Sequence, residues 1–447
     1  MRRRRGRWRR VIGALVVVLL GLVVAAYWYE RPLLLTATGY AAHNACAVTH
    51  LAGRADPAAD LPPNPLVPYL RTSDTDGGSA TQAGIFGLLA RQKAWYVEGY
   101  GCILAATRPD LPTPTKVATP NALTTATAPA PDAAVTQALA KAFGDDLPAD
   151  RKASLGTRAI VVLRGGKLVA ERYADGFDAT TRQLGWSMSK SVTDLLVGRL
   201  VQSGTVALGD ARLRPEWSDD RSRITLDQLL RMTSGLRWDE TYALGTPVTQ
   251  MLYREADMGA YAASLPLDHP PGTYQEYSSG STDIVCSVLA ARTGDGADLP
   301  RQTLFDQLGL SSAVWEPDAA GTPVCSSYLW ATPRDWAAIG QFALQQGEWN
   351  GRRWLPDGWM SAATRHVAVS GEETGYAQGW WVNQLADGSL VEKDLPADAY
   401  WAQGHDGQRL YVVPSADLVV VRLGFSPSID SADLRTVALV HDLIAAP

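Results

Sequence analysis

In the stretch GWSMSKSVTD, residues 185–194, a serine and a lysine three positions apart stand at the head of an apolar run. On a helix that spacing puts Ser187 and Lys190 on one face, close enough for their side chains to meet. A serine hydroxyl is a poor nucleophile at neutral pH, and a neutral amine within hydrogen-bond reach can take or relay its proton. The pair could therefore perform acyl transfer. A solvated helix start is the competing reading, since the spacing alone arises by chance in a chain this long. Lysine usage separates the two. Only seven of the 41 Lys plus Arg residues are lysine, at 93, 116, 141, 152, 167, 190 and 393. Arginine does not deprotonate in a protein, so a proton-shuttling position is one where it could not replace lysine.

Two further segments follow in order. Tyr277-Ser278-Ser279 precedes a helical pattern, where Tyr277 could accept the nucleophile's proton and later hand it to a leaving group. His405-Asp406-Gly407 stands at the head of a strand, where Gly407 lets the backbone run close to a ligand. Trp186 adjoins the serine and is a candidate wall of a substrate pocket. His43, His50, His269, His366 and His441 are scattered and read as ordinary polar side chains, and Asp406 as a turn residue. No Cys or His spacing suits a metal ion, so no metal and no cofactor is expected.

These residues need a scaffold. SVTDLLVGRLVQSG alternates at helical spacing until Gly204, which predicts a helix carrying Lys190. TRAIVVLRGGKLVAERY reads as a hairpin turning at Gly165-Gly166, and QRLYVVPSADLVVVRLGF as a second one turning at PSAD. Strands at both ends of the region with helices between them predict an α+β fold whose terminal segments share one antiparallel sheet.

Upstream, residues 106–133 are rich in Pro, Thr and Ala and read as a linker or an extended wrap. Residues 31–105 form a smaller N-terminal extension without a legible fold. Before it, MRRRRGRWRR is followed by an uncharged apolar stretch at 11–29, long enough for a helix to cross a bilayer. Residues 1–30 are thus a signal anchor or a signal peptide. Val24-Ala25-Ala26 offers a cleavage pattern, while Tyr27, Trp28 and Tyr29 suit an anchor at the interface. Either way the arginines stay in the cytoplasm and the rest of the chain is exported, to the periplasm or beyond. Export makes disulfides possible. Cys46 and Cys102 alone precede the Pro-rich segment and are paired here, leaving Cys286 for Cys325, although four cysteines allow three connectivities. A net charge of −5, with the basic excess confined to the N-terminus, excludes a nucleic-acid face.

Ser-x-x-Lys, then Tyr277-x-Ser279, then His405-Asp406-Gly407 resembles the serine hydrolases of the penicillin-binding and class C β-lactamase fold, marked by Ser-x-x-Lys, Tyr-x-Asn and Lys-Thr-Gly. The branch most similar is the 6-aminohexanoate-dimer hydrolases and esterases, and the resemblance covers residues 134–447. It implies a β-lactamase/transpeptidase-like α+β fold, an antiparallel sheet flanked by helices plus an all-helical subdomain. Ser187 would be the acylated nucleophile, Lys190 its proton partner and Tyr277 the general base and acid. The oxyanion hole would come from the backbone N–H groups of Ser187 and Gln408, with Ser279, His405, Gly407 and Trp186 lining the substrate. The departures narrow the substrate: Ser279 stands for the asparagine and His405 for a lysine that would supply a fixed cation. Small ester or amide substrates are expected rather than β-lactams or D-Ala-D-Ala peptides. The alternatives are a penicillin-binding or sensor module of the same fold with little turnover, or a weak β-lactamase or D-Ala-D-Ala carboxypeptidase.

Overall fold

The runs Thr157–Arg164 and Lys167–Tyr173 pair as the predicted antiparallel hairpin, with Gly165 and Gly166 in the left-handed conformation its turn requires (φ 57° and 70°). We describe it in a computed structural model that covers residues 2–371 and 375–446. The second hairpin, Gln408–Val413 with Leu418–Gly424, pairs through Leu418–Gly424 with Thr157–Arg164. Strands from both ends of the region therefore meet in one six-stranded antiparallel sheet. Its order is Trp381–Val382, Tyr400–Gly404, Gln408–Val413, Leu418–Gly424, Thr157–Arg164, Lys167–Tyr173.

Side chains alternate across a strand, and here both faces are covered. Ala159, Val161 and Leu163 join the main core with the helices Met188–Gln202 and Pro333–Leu344. Ile160 and Val162 join a second core with Ala133–Ala142 and Thr436–Ala445. Burial of both faces explains why these strands read as continuous apolar runs. The helix Met188–Gln202 is buried almost all round, as a central helix must be, and Gly204 (φ 75°) stands just past its end. Beside it, Ser279–Thr293 is tied by the Cys286–Cys325 disulfide to the loop that carries Ser326.

The N-terminal region is more regular than its sequence suggests. One helix runs from Arg2 to His50 without a break at the end of the apolar stretch. It is exposed from Arg10 to Trp28 apart from a half-buried Tyr27, and buried for most of Leu35–Val48. Small residues permit that burial: Ala41, Ala42 and Ala47 pack in a core of their own, and a Cβ on Gly39 would lie 2.3 Å from the Tyr253 carbonyl oxygen. Four antiparallel strands, Leu70–Thr75, Ala80–Ile85, Leu89–Val97 and Gly101–Leu104, lie against this helix, and the Cys46–Cys102 disulfide joins the two. Both disulfides have the predicted pairing. The buried Glu316 fastens the extension to the rest of the chain: it accepts hydrogen bonds from His43 Nε2 (2.8 Å), Trp330 Nε1 (2.9 Å) and the Cys102 backbone N–H (2.6 Å). The Pro-rich segment is an extended strap, held where Thr115 bonds Asp298 and where Asn121 bonds Asp335 and the Gly309 carbonyl.

Candidate active site

Ser187 immediately precedes the helix Met188–Gln202, and Lys190 is one turn inside it. Lys190 is 2% exposed, and its Nζ lies 2.9 Å from Ser187 Oγ, 2.9 Å from Ser279 Oγ and 3.1 Å from the Ser326 carbonyl oxygen. Three acceptors match the three N–H bonds of an ammonium. A neutral amine would instead donate to Ser279 and Ser326 and turn its lone pair to the Ser187 hydroxyl. Asp283, on the neighbouring helix, fixes Ser326: its two oxygens accept from the Ser326 backbone N–H (2.9 Å) and hydroxyl (3.0 Å). Burial pushes the Asp283 carboxyl up to about 7, against the hydrogen bonds from Ser326 and the charge of Lys190.

Tyr277 reaches the same point from the residues before the helix Ser279–Thr293, with Lys190 Nζ 4.8 Å from its ring centroid. Burial of its hydroxyl, the largest effect, pushes its pKa up; the charge of Lys190 and hydrogen bonding with Ser187 and Lys190 oppose this without reversing it. Its ring stacks on Trp381 (5.5 Å between centroids) and meets the edge of Tyr376. Ser187, Tyr277 and Trp381 line a cleft of about 510 Å³ together with Glu240, Tyr242, His405, Gly407 and Arg409.

Ser279 is fully buried, so it does not line this cleft. It links Lys190 to a residue the sequence reading passed over: its hydroxyl donates to Glu240 Oε1 (2.5 Å) and its backbone N–H to Glu240 Oε2 (2.8 Å). Trp238 Nε1 also donates to Oε2 (2.5 Å), and Glu240 Oε1 is 3.9 Å from Lys190 Nζ. Glu240 ends the run ITLDQLLRMTSGLRWDE, residues 224–240, whose other charged residues leave it without a distinguishing mark.

Trp186 is likewise not a cleft wall. It is 5% exposed and packs behind the nucleophile against Tyr40, Tyr242, Tyr328 and His405. Its φ of +49° is unusual for a bulky residue and turns the chain into the helix at Ser187. Opposite, a Cβ at Gly404 would come within 2.1 Å of the Gly185 carbonyl oxygen, so backbone meets backbone where the sheet edge faces the nucleophile. This contact bears on the oxyanion hole. The Gln408 N–H donates to the His405 carbonyl, and its buried side chain bonds Gly424, which turns Gln408 away from the cleft. The Ser187 and His405 backbone N–H groups have no protein acceptor among the described residues.

His405 stacks on Tyr242 (4.3 Å, 13°) with its side chain 35% exposed, and its Nε2 is 3.3 Å from Asp406 Oδ1. Asp406 is buried with φ +56° and accepts no aligned hydrogen bond among the described residues; burial raises its pKa and the charge of His405 opposes the rise. Gly407 (φ 89°) lies 2.4 Å, from its would-be Cβ, to the buried Arg422, whose guanidinium donates to the Gly407 carbonyl. The cleft also has a cation that the sequence reading missed: Arg409, held to the Gly404 and Gln408 carbonyls.

The sequence profile of the Beta-lactamase family matches residues 139–426. The chain is 25% identical over 303 residues to the 6-aminohexanoate-dimer hydrolase of Paenarthrobacter ureafaciens, covering 62% of this chain and 74% of that one. Among solved structures it resembles a penicillin-binding protein homologue from Caulobacter crescentus (17% identity, TM-score 0.56, 71% of this chain and 98% of that one). It also resembles a family VIII carboxylesterase (17% identity, TM-score 0.54, 69% and 95%). By the span of that profile and by its fold, the chain belongs to the Beta-lactamase family of hydrolases.

Proposed function

We propose that this protein is an exported serine hydrolase that cleaves ester or amide bonds through an acyl-enzyme on Ser187. The observation that carries the reading is the buried Lys190 Nζ at 2.9 Å from Ser187 Oγ, with Tyr277 beside both at the floor of an open cleft. Ser187 Oγ attacks the substrate carbonyl carbon and loses its proton to the Lys190–Tyr277 pair, which acts as one coupled proton store. The carbonyl oxygen becomes an oxyanion beside the Ser187 and His405 N–H groups. The C–O or C–N bond then breaks, and Tyr277 gives the stored proton to the departing alcohol or amine. Water repeats the sequence, its proton taken by the same pair, and releases the acid and the Ser187 hydroxyl. Export is supported by two disulfides and by the arginine-flanked apolar helix.

The test is rapid-mixing kinetics with a nitrophenyl ester. A burst of nitrophenol stoichiometric with protein, followed by slower turnover, both abolished in Ser187→Ala, is the expected result. Steady turnover that survives Ser187→Ala would sink the reading.

A further inference from the structure

A second cavity, of about 120 Å³, adjoins the catalytic cleft, and the stacked Tyr242 and His405 line both. Its other walls are mostly apolar, with Leu61, Val67 and Leu70 from the N-terminal extension, Ala37 from the long helix and Leu244 from the loop after Tyr242; Asn64 and Thr249 are the polar exceptions beside two tyrosines. The helix serves as a ruler. At 1.5 Å per residue, Ala37 stands ~12 Å beyond Tyr29, and residues 11–29 span ~28 Å, the thickness of a bilayer core. With residues 11–29 across the bilayer, headgroups add about 6 Å on each side, roughly four residues, which reaches Leu33. Leu244's neighbour Gly245 packs against Leu33, so the rim of the cavity begins where the headgroup layer ends.

An apolar patch lies at the same level. The strand Leu89–Val97 runs alongside the helix in the same direction, because Tyr96 stacks on His50 (4.6 Å) while the Ala90 carbonyl accepts from Thr38 Oγ1 (2.6 Å). The turn before that strand therefore points toward the apolar end of the helix, and Tyr27, near the close of the apolar stretch, accepts a hydrogen bond from the Ala90 N–H (3.1 Å). This turn carries exposed Phe86, Leu88 and Leu89, with Tyr69 packed on Phe86. Aromatic and aliphatic side chains exposed together at this height suit the bilayer interface. From this patch the chain leads into the cavity: Leu70, a lining residue, pairs with Ile85 next to Phe86.

We infer that the substrate is a membrane-resident ester or amide whose apolar chain lies in the cavity behind Tyr242 and His405, with the Phe86–Leu89 turn seated among the headgroups. The inference rests on the hydrolase reading above and names its substrate class. The anchor is then more than a tether. One continuous helix holds the cavity at a fixed height, where a chain drawn from the bilayer reaches Ser187 without crossing water.

The test uses the full chain in phosphatidylcholine vesicles with dodecanoyl and acetyl nitrophenyl esters. Partition raises the dodecanoyl rate for any anchored enzyme, so the readout is the dodecanoyl-to-acetyl ratio of kcat/KM in wild type against Leu244→Arg and Val67→Asp. Both positions are half-buried, and each charge would meet the chain. A fall of about tenfold or more in that ratio is expected. An unchanged ratio in both variants overturns the inference. Binding of a fluorescent dodecanoate to Ser187→Ala protein reads the cavity without chemistry. Binding lost on adding Leu244→Arg supports the cavity even if no ester is turned over, and binding that survives the change refutes it while leaving the hydrolase reading intact.

Discussion

Asp283 makes the support beneath Lys190 measurable through pH. Its carboxyl is buried and rises from 3.8 to about 7 on folding, with burial the cause. The folded state therefore holds this proton to higher pH than the unfolded chain. Between about 4 and about 7 the unfolded state binds fewer protons, so stability falls as pH rises through that window and is level above it. A shift of that size corresponds to roughly 4 kcal/mol. Asp283→Asn removes the titration while keeping the contacts: the amide oxygen accepts the Ser326 N–H, and the amide nitrogen donates to its hydroxyl. Urea midpoints of both proteins at pH 5 and pH 8 test this. The variant is expected to lose less stability than wild type between the two, overtaking it at pH 8. Parallel pH dependence would refute the reasoning, because the proton would then not be held by Asp283.

Lys190→Arg is expected to lower ester turnover by about a hundredfold or more with the fold retained, since a guanidinium cannot give up its proton; turnover and circular dichroism together check it. Glu240→Gln leaves the Ser279 hydroxyl proton without the carboxylate oxygen it meets at 2.5 Å, and is expected to reduce kcat more than KM and to cost about 1–3 kcal/mol in denaturant titration. Replacing both Cys286 and Cys325 by serine opens a loop with a sequence separation of 39 and is expected to cost ~4 kcal/mol, read as a thermal midpoint below that of the oxidised wild type, with a further fall when reductant also opens Cys46–Cys102.

Local chemistry made much of this legible. Ser187 and Lys190 could be paired because a helix fixes their spacing, and the hairpins could be read because glycine turns separate β-rich runs. The cysteines were pairable because the Pro-rich segment separates them into two couples. Long-range contacts were another matter. Glu240 joins the site across a loop, 39 positions from Ser279, and no spacing rule marks such a partner. Trp186 looked like a wall because it neighbours the nucleophile, but its left-handed backbone turns the ring into the core. Gln408 failed as an oxyanion donor because the His405–Gly407 turn uses its N–H, a detail of backbone geometry. The long helix passed unrecognised beyond residue 30 because its buried half, residues 35–48, mixes five alanines and a glycine with threonine and other polar residues, which gives weak hydrophobic periodicity.

The central claim is that Ser187 carries the acyl group. Acid-quenching the full chain during turnover of a nitrophenyl ester, followed by intact-mass and peptide mass spectrometry, addresses it most directly. The account predicts an acyl adduct confined to the peptide containing Ser187 and missing from Ser187→Ala. Turnover without that adduct, or an adduct on another residue, would contradict it.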